Sequence, residues 1–356
     1  MPRLRTWYPD QRGIARRPKG RGFVYTTNGG TAVDDPATLD RIAALAIPPA
    51  WQEVWVSPWP NGHIQAAGTD AAGRRQYIYH GRWRERRDEE KFDRMLEFAQ
   101  ALPRLRQVTA EHLAGPVQSS DDVTRERALA CALRLLDSGF FRVGGEAYAE
   151  ENGTFGLATL RKEHVTLSPP DTIVFNYVAK AHKERVQAVS DPAVFAVIER
   201  LRHRRGGGDE LLAWREDGVW HDVRSQDVND EIKAIMGGDF TAKDFRTWHA
   251  TVLAALGLAV STRARRSQAA SKRAIARVVR EVAHYLGNTP AVARSSYIDP
   301  RVIDRYLAGR TIAPALDELV EGDLLGDPET RHAIEATVIA LIKPRLAQTV
   351  RDAVAA

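Results

Sequence analysis

Hydrophobic and polar positions alternate with period two over three runs near the start of the chain: EVWVSPW (53–59), GHIQAAGTD (62–70) and RRQYIYH (74–80). Pro-Asn-Gly and Ala-Ala-Gly turns separate them, so they predict a meander of antiparallel strands. Ahead of them, TLDRIAALA (38–46) has helical spacing, a Thr or Asp cap and a stop at IPPAW. The first 30 residues, rich in Arg, Gly and Pro, show little periodicity and read as an arm.

From Trp83 the period becomes helical, in WRERRDEEKFDRMLEFAQALPRL and again, after a turn and Ser/Asp caps, in the stretch ending RERALACALRLL. Phe140–Thr166 predicts a Gly-rich bend and short strand-like segments. DTIVFNYVAKAHKERVQAV (171–189) reads as a strand, a tight turn and a return strand. A helix follows, with Pro at its start (DPAVFAVIERLRHR), then a Gly loop and a small hairpin turning on Asp-Gly (211–223). The remainder is helical. The elements predict an α+β chain: a small β-rich N-terminal domain, 1–82, and a larger, mainly α-helical domain, 83–356, with a small embedded sheet.

Composition adds limits. The chain has 356 residues, 44% apolar and 27% charged, normal for a folded globular protein. No run approaches the ~20 apolar residues that cross a bilayer; Trp248–Val260 is too short and holds a histidine and a threonine. The basic N-terminus has no apolar run behind it, which argues against a secretory signal. The single cysteine, Cys131, lies in a helical stretch and reads as a buried core residue before a catalytic thiol. A cytoplasmic protein without a membrane partner is expected.

The formal charge of +5 is unevenly spread. Basic clusters occur in the first 22 residues and at 161–164, 180–185, 202–205 and 263–273, while acidic residues gather at 317–329. Separated basic clusters with aromatics between them point to a polyanion.

Familiar nucleotide and metal motifs are missing from the sequence: it has no GxxxxGK[ST], no HExxH, no paired CxxC and no clustered Asp-x-Asp. Neither metal nor cofactor is expected, and an enzyme here manages charge with its own cations. Phosphodiester chemistry of that kind needs arginines for the non-bridging oxygens, a lysine to protonate the leaving oxygen and a hydroxyl nucleophile. The sequence offers Arg142 at a helix end before glycines, Lys180 at a strand-turn tip, Arg246 at the start of an apolar helix, and Tyr297 in the polar string LGNTPAVARSSYIDP. Singly, each has a plainer role. Arg142 would cap a helix, Lys180 and Lys183 would form a charged tip, Arg246 would pair with Asp244 or Glu231, and Tyr297 would sit at a helix start.

Taken in order, with KDFRTW (243–248) and SSYIDP (295–300), these residues resemble the active site of the type IB DNA topoisomerases of the short bacterial and poxvirus-like branch. The resemblance runs from about Ile47 to Tyr306 and includes PNGHIQAAGTDAAGRRQYIYH (60–80). It implies a two-domain clamp around double-stranded DNA and a monomer that needs neither ATP nor metal. It implies Tyr297 as nucleophile, Arg142 and Arg246 on the non-bridging oxygens and Lys180 as general acid. Gly-His-Thr-Pro is usual where this chain has Gly287-Asn288-Thr289-Pro290, so Asn288 takes the donor role of the histidine, with His284 proposed to share its helix face. Gly145 stands where viral relatives tend to have lysine, which implies weaker base reading. Gln76, Tyr77, Tyr79, Tyr148 and Lys183 are implied DNA contacts, with Arg74 and Arg75 on phosphates; core packing is the other reading of Tyr77 and Tyr79. Two other functions fit the same residues: a tyrosine recombinase, and a DNA-binding protein with a vestigial site.

Overall fold

The computed structural model describes residues 3–261, 267–318 and 327–343. Parts of the basic stretch 263–273 and of the acidic stretch 317–329 therefore lie outside the described residues. The chain divides into two compact units, Met1–Asp93 and Arg94–Ala356.

The first unit is built on strands β1 (Ile14–Lys19), β2 (Gly22–Thr27), β3 (Gln52–Val56), β4 (Ile64–Thr69) and β5 (Arg75–Tyr79), with helix α1 (Pro36–Ala44) between β2 and β3. The strands form one antiparallel sheet in the order β2-β1-β3-β4-β5. The predicted meander is β3 to β5. The supposed N-terminal arm is instead a hairpin, β1–β2, paired from Ile14–Thr27 to Lys19–Gly22. Its alternation is hidden because Arg16 occupies an inward position. That guanidinium is buried and donates to the carbonyls of Ile47, Pro48, Pro49 and Trp51, at 2.6–3.4 Å. It thus ties β1 to the IPPAW turn, where Pro supplies no N–H for a ladder. Asp35 caps α1 by accepting from the Thr38 N–H, and Ile42 of that helix packs with Ile14, Val54, Val56 and Ala66 of the sheet.

Helix α2 (Gly81–Leu113) begins in the first unit and ends in the second. The second unit continues with α3 (Arg125–Ser138), α4 (Glu146–Asn152), strands β6 (Val165–Ser168), β7 (Thr172–Ala179) and β8 (Lys183–Ser190), α5 (Pro192–His203), the hairpin β9 (Ala213–Glu216) and β10 (Val219–Asp222), α6 (Ser225–Met236), α7 (Ala242–Val260), α8 (Gln268–Leu286), α9 (Pro290–Ser296), α10 (Pro300–Leu307), α11 (Ala313–Glu318) and α12 (Pro328–Ile342). The fold is α+β, with a β-rich N-terminal region and a mainly helical C-terminal one. Strands β6-β7-β8 form the embedded sheet.

Helices α3 and α7 are buried almost along their whole length, so neither shows a clean polar face. Cys131 is fully buried in α3, and burial pushes its thiol far above its ordinary range, which removes it from chemistry. The segment 140–166 is not strand-like throughout. Gly145 starts α4 and Gly153, in the left-handed region, ends it.

Beneath the helices lies a buried ionic cluster. Asp137 accepts from Arg106 at 2.9 and 3.1 Å and from Arg331 at 2.7 Å, with His249 at 3.7 Å; Glu335 accepts from Arg106 at 2.7 and 2.9 Å. It joins the far half of α2 to α3, α7 and α12.

Two hairpins turn differently. Asp217 and Gly218 of β9–β10 both have positive φ, the pairing a two-residue turn prefers. At the β7–β8 tip, Ala181 and His182 also have positive φ, at 65° and 52°, without a glycine. Left-handed backbone costs a residue with a Cβ about 1–2 kcal/mol, and glycine returns about 0.5–1 kcal/mol of that as chain entropy. Ala181→Gly is therefore expected to raise stability by up to about 1 kcal/mol in denaturant unfolding. A loss of stability would show that the tip is relaxed as it stands.

Candidate active site

The segment after α3 carries Arg142. It lies four residues past the helix in extended chain, not at the helix end. Backbone bonds fix it: Leu157 N–H donates to the Arg142 carbonyl at 2.8 Å and Ala158 N–H to the Val143 carbonyl at 2.7 Å. Gly144 and Gly156 make this approach possible. A Cβ on Gly156 would fall 2.5 Å from the Gly144 Cα, and Gly144 itself has φ +90°.

Tyr297 is equally constrained, although its neighbours in sequence are polar. It is the C-cap of α9, not a helix start, and its N–H bonds the Ala293 carbonyl. Ile298, fully buried, and Asp299, which caps α10, pin the chain immediately after it. The Thr251 hydroxyl of α7 lies 3.3 Å from the Tyr297 carbonyl and 3.2 Å from the Asp299 nitrogen. A half-buried phenol is thus presented on a short rigid link.

Arg246 is buried on α7 and its Cζ stands 5.4 Å from the Tyr297 ring centroid. It donates to the Phe140 carbonyl at 2.7 Å and the Leu286 carbonyl at 2.8 Å. It does not pair with Asp244 or Glu231, since Asp244 faces Arg94 and Glu231 faces Arg125. Arg142 donates to the Gly287 carbonyl and the Asn288 Oδ1. Asn288 lies beyond the Gly287 cap of α8, so it shares no helix face with His284, whose exposed side chain is outside the cleft.

Arg142, Tyr148, Lys180, Lys243, Arg246 and Tyr297, with the chain at Val143–Gly145, line a cleft of about 370 Å³; Asn288 does not line it and stands behind Arg142, which donates to its Oδ1. The Lys180 ammonium is 6.0 Å from the centre of the Tyr148 ring. Lys243 was not singled out from the sequence, although it stands in KDFRTW. The signal was its spacing, one helical turn before Arg246. Lys183, at the start of β8, does not line the cleft.

Burial pushes the Tyr297 phenol up, but Arg246, Lys243 and Asn288 outweigh it and hold the group below its ordinary range. Burial, helped by the nearby Arg142 charge, brings Arg246 down to about 10. Two buried donors at this site, Arg246 Nε and Asn288 Nδ2, complete no hydrogen bond of good geometry, although both side chains act on the Tyr297 phenol. Leaving such donors unpaired costs about 1–3 kcal/mol each, which an anionic oxygen offsets. Because Asn288 Oδ1 already accepts from Arg142, its amide offers only the donor end.

On β5 of the first unit, Tyr77 and Tyr79 are exposed and stacked, centroids 6.0 Å apart, so they are not core residues. Gln76 and Arg74 both donate to Asp70, and Arg75 to the Glu53 carbonyl and the Thr69 hydroxyl.

A tyrosine, two arginines and two lysines around one cleft of a mainly helical unit describe a class of protein that holds a phosphate with cationic side chains. The model of the eukaryotic DNA topoisomerase I catalytic core matches residues 80–308, and that of the bacterial DNA topoisomerase IB N-terminal domain matches 22–70. DNA topoisomerase 1B of Acanthamoeba polyphaga mimivirus is 32% identical over 301 residues, 83% of this chain and 87% of the relative. The vaccinia virus (strain Copenhagen) DNA topoisomerase 1B is 25% identical over 295 residues, 80% of this chain and 87% of its own. The match to Daucus carota DNA topoisomerase 1, 30% identical, takes in 36% of this chain and only 15% of that protein. The chain belongs to the type IB DNA topoisomerase family.

Proposed function

We propose that the protein relaxes supercoiled double-stranded DNA by cutting and resealing one strand through Tyr297. The Oη of Tyr297 attacks the phosphorus, the phenolic proton leaves to solvent, and the P–O5′ bond breaks. The Lys180 ammonium gives its proton to the departing 5′-oxygen, which leaves as a hydroxyl, while the phosphate stays on Tyr297 as a 3′-phosphotyrosyl ester. Arg142, Arg246 and the Asn288 amide donate to the non-bridging oxygens as their charge grows. While the strand is open, the free end swivels about the intact strand. Resealing is the reverse step, with neutral Lys180 as base, so the ester bond energy is conserved and no ATP is used.

The observation that carries this reading is the convergence of Tyr297 with four cationic side chains on one cleft beside two buried donors that complete no hydrogen bond of good geometry. The stacked Tyr77–Tyr79 face of β5 and Tyr148 are further contacts with DNA in this scheme.

The test is plasmid relaxation in EDTA without nucleotide, with samples quenched in denaturant to trap covalent complexes. A ladder of partly relaxed topoisomers, with protein linked to 3′ ends and free 5′-hydroxyls, is the expected result. Plasmid binding without relaxation or adducts would reject it.

A further inference from the structure

The last turn of α8 is an acceptor for three guanidinium groups: Arg246 on Leu286 O, Arg142 on Gly287 O, and Arg185 on His284 O at 3.2 Å and Tyr285 O at 2.7 Å. The negative end of a helix dipole favours cations in this position. Two of the three belong to the cleft. Arg185 does not line it and has no part in the chemistry above.

Its place in the fold gives it one. Arg185 lies on β8 directly across from Tyr177 of β7, and Lys180 is at the tip of that same hairpin. The tip projects three residues beyond the Tyr177–Arg185 pair, roughly 10 Å of strand at about 3.3 Å per residue. On the β7 side, the Phe155 N–H holds the Val178 carbonyl at 2.8 Å. On the β8 side, the Arg185 fork holds α8, with Gln187 Oε1 3.3 Å from the same guanidinium. Immediately past those carbonyls the chain turns through Gly287 into Asn288 and then into α9, which ends at Tyr297.

We infer that Arg185 is a positioning residue for cleavage: it locks the hairpin bearing Lys180 onto the helix end that leads to Asn288 and Tyr297, and so sets the reach of the general acid to the leaving oxygen. The inference rests on the reading of Lys180 as that acid. A lysine would not replace it, since a single ammonium lacks the rigid fork that spans two successive carbonyls.

The experiment uses the full chain and a duplex carrying the phosphate of a mapped cleavage site, made with either a 5′-bridging oxygen or a 5′-bridging sulfur. A thiol ionises near pH ~8.5, so sulfur departs without a proton. A misplacement on the order of 1 Å costs about 10²-fold. Arg185→Ala is expected to slow single-turnover cleavage of the oxygen duplex by about that factor. On the sulfur duplex it should recover to near the wild-type rate, with unchanged affinity for uncleaved DNA. Arg185→Lys should fall between. Equal slowing on both duplexes, which a general structural defect would give, overturns the proposal, as does no slowing on oxygen. Lys180→Ala is the separate control: if sulfur does not rescue it, the assignment of the acid fails first and the positioning role with it. If sulfur rescues Lys180→Ala and not Arg185→Ala, only the inference is lost.

Discussion

Tyr297→Phe is expected to leave a negatively supercoiled plasmid untouched while still binding it. The substitution removes one oxygen from a half-buried ring and should disturb the fold little, because the link is held by its backbone and by buried Ile298. Without the hydroxyl the cleft loses the phenol whose anion Arg246, Lys243 and Asn288 favour, so both relaxation and covalent adducts should vanish from denaturing gels. The wild-type cleavage rate should also fall as pH drops, since fewer phenols ionise. The midpoint should lie below that of an ordinary tyrosine, because Arg246, Lys243 and Asn288 overcome burial and favour the anion. A phenylalanine variant that still relaxes DNA would move the nucleophile elsewhere and remove the basis of the mechanism.

The largest stability effect is expected at Asp137→Ala. This carboxylate is buried and accepts from Arg106 and Arg331, beside His249. Removing one partner of a buried ionic cluster strands the others, at a cost of about 3–5 kcal/mol. Urea unfolding should show that loss with an unchanged slope. Burial pushes the Asp137 acid up, but Arg331, His249 and Arg106 prevail and hold it well below the carboxylate range. Its folded-state pKa is therefore depressed, so its contribution is complete above the unfolded value of ~3.9 and is lost as pH falls below it. His249 acts in the same direction but earlier. Burial keeps it from taking a proton, so the unfolded chain binds that proton first and stability declines as pH drops below ~6.5. The wild type should show both steps, and the alanine variant should lack the one below about pH 4. An alanine variant as stable as the wild type would mean the cluster's attraction only balances its desolvation.

Much of the second unit was legible because its elements follow simple periods. The hairpin at 171–189 and the Asp-Gly hairpin have alternating residues and turns, and helices α5 and α7 to α10 have caps or prolines at their starts. The hairpin β1–β2 was not legible, since an arginine fills a core position there and its carbonyl partners lie more than thirty residues on. Helix α4 was hidden between glycines and has no buried side chain to give it a period. Among the cleft residues, Tyr297, Arg142, Lys180 and Arg246 were visible as strings. The role of Arg185 was not, because it depends on which helix end its side chain meets, whereas Lys243 had a signal in its spacing from Arg246. Asn288 could not be separated from α8 by spacing alone; only the positive φ of Gly287 places it past the cap.

Three guanidinium groups resting on one helix end tie the cleft to a local equilibrium. Helix termini open more readily than helix centres, at free energies well below that of global unfolding. When the last turn of α8 frays, the carbonyls that hold Arg142, Arg185 and Arg246 scatter together. Leu286 and Ala283 of that turn are buried, so it opens only when this corner of the core loosens, and warming should extinguish cutting and release these core side chains together.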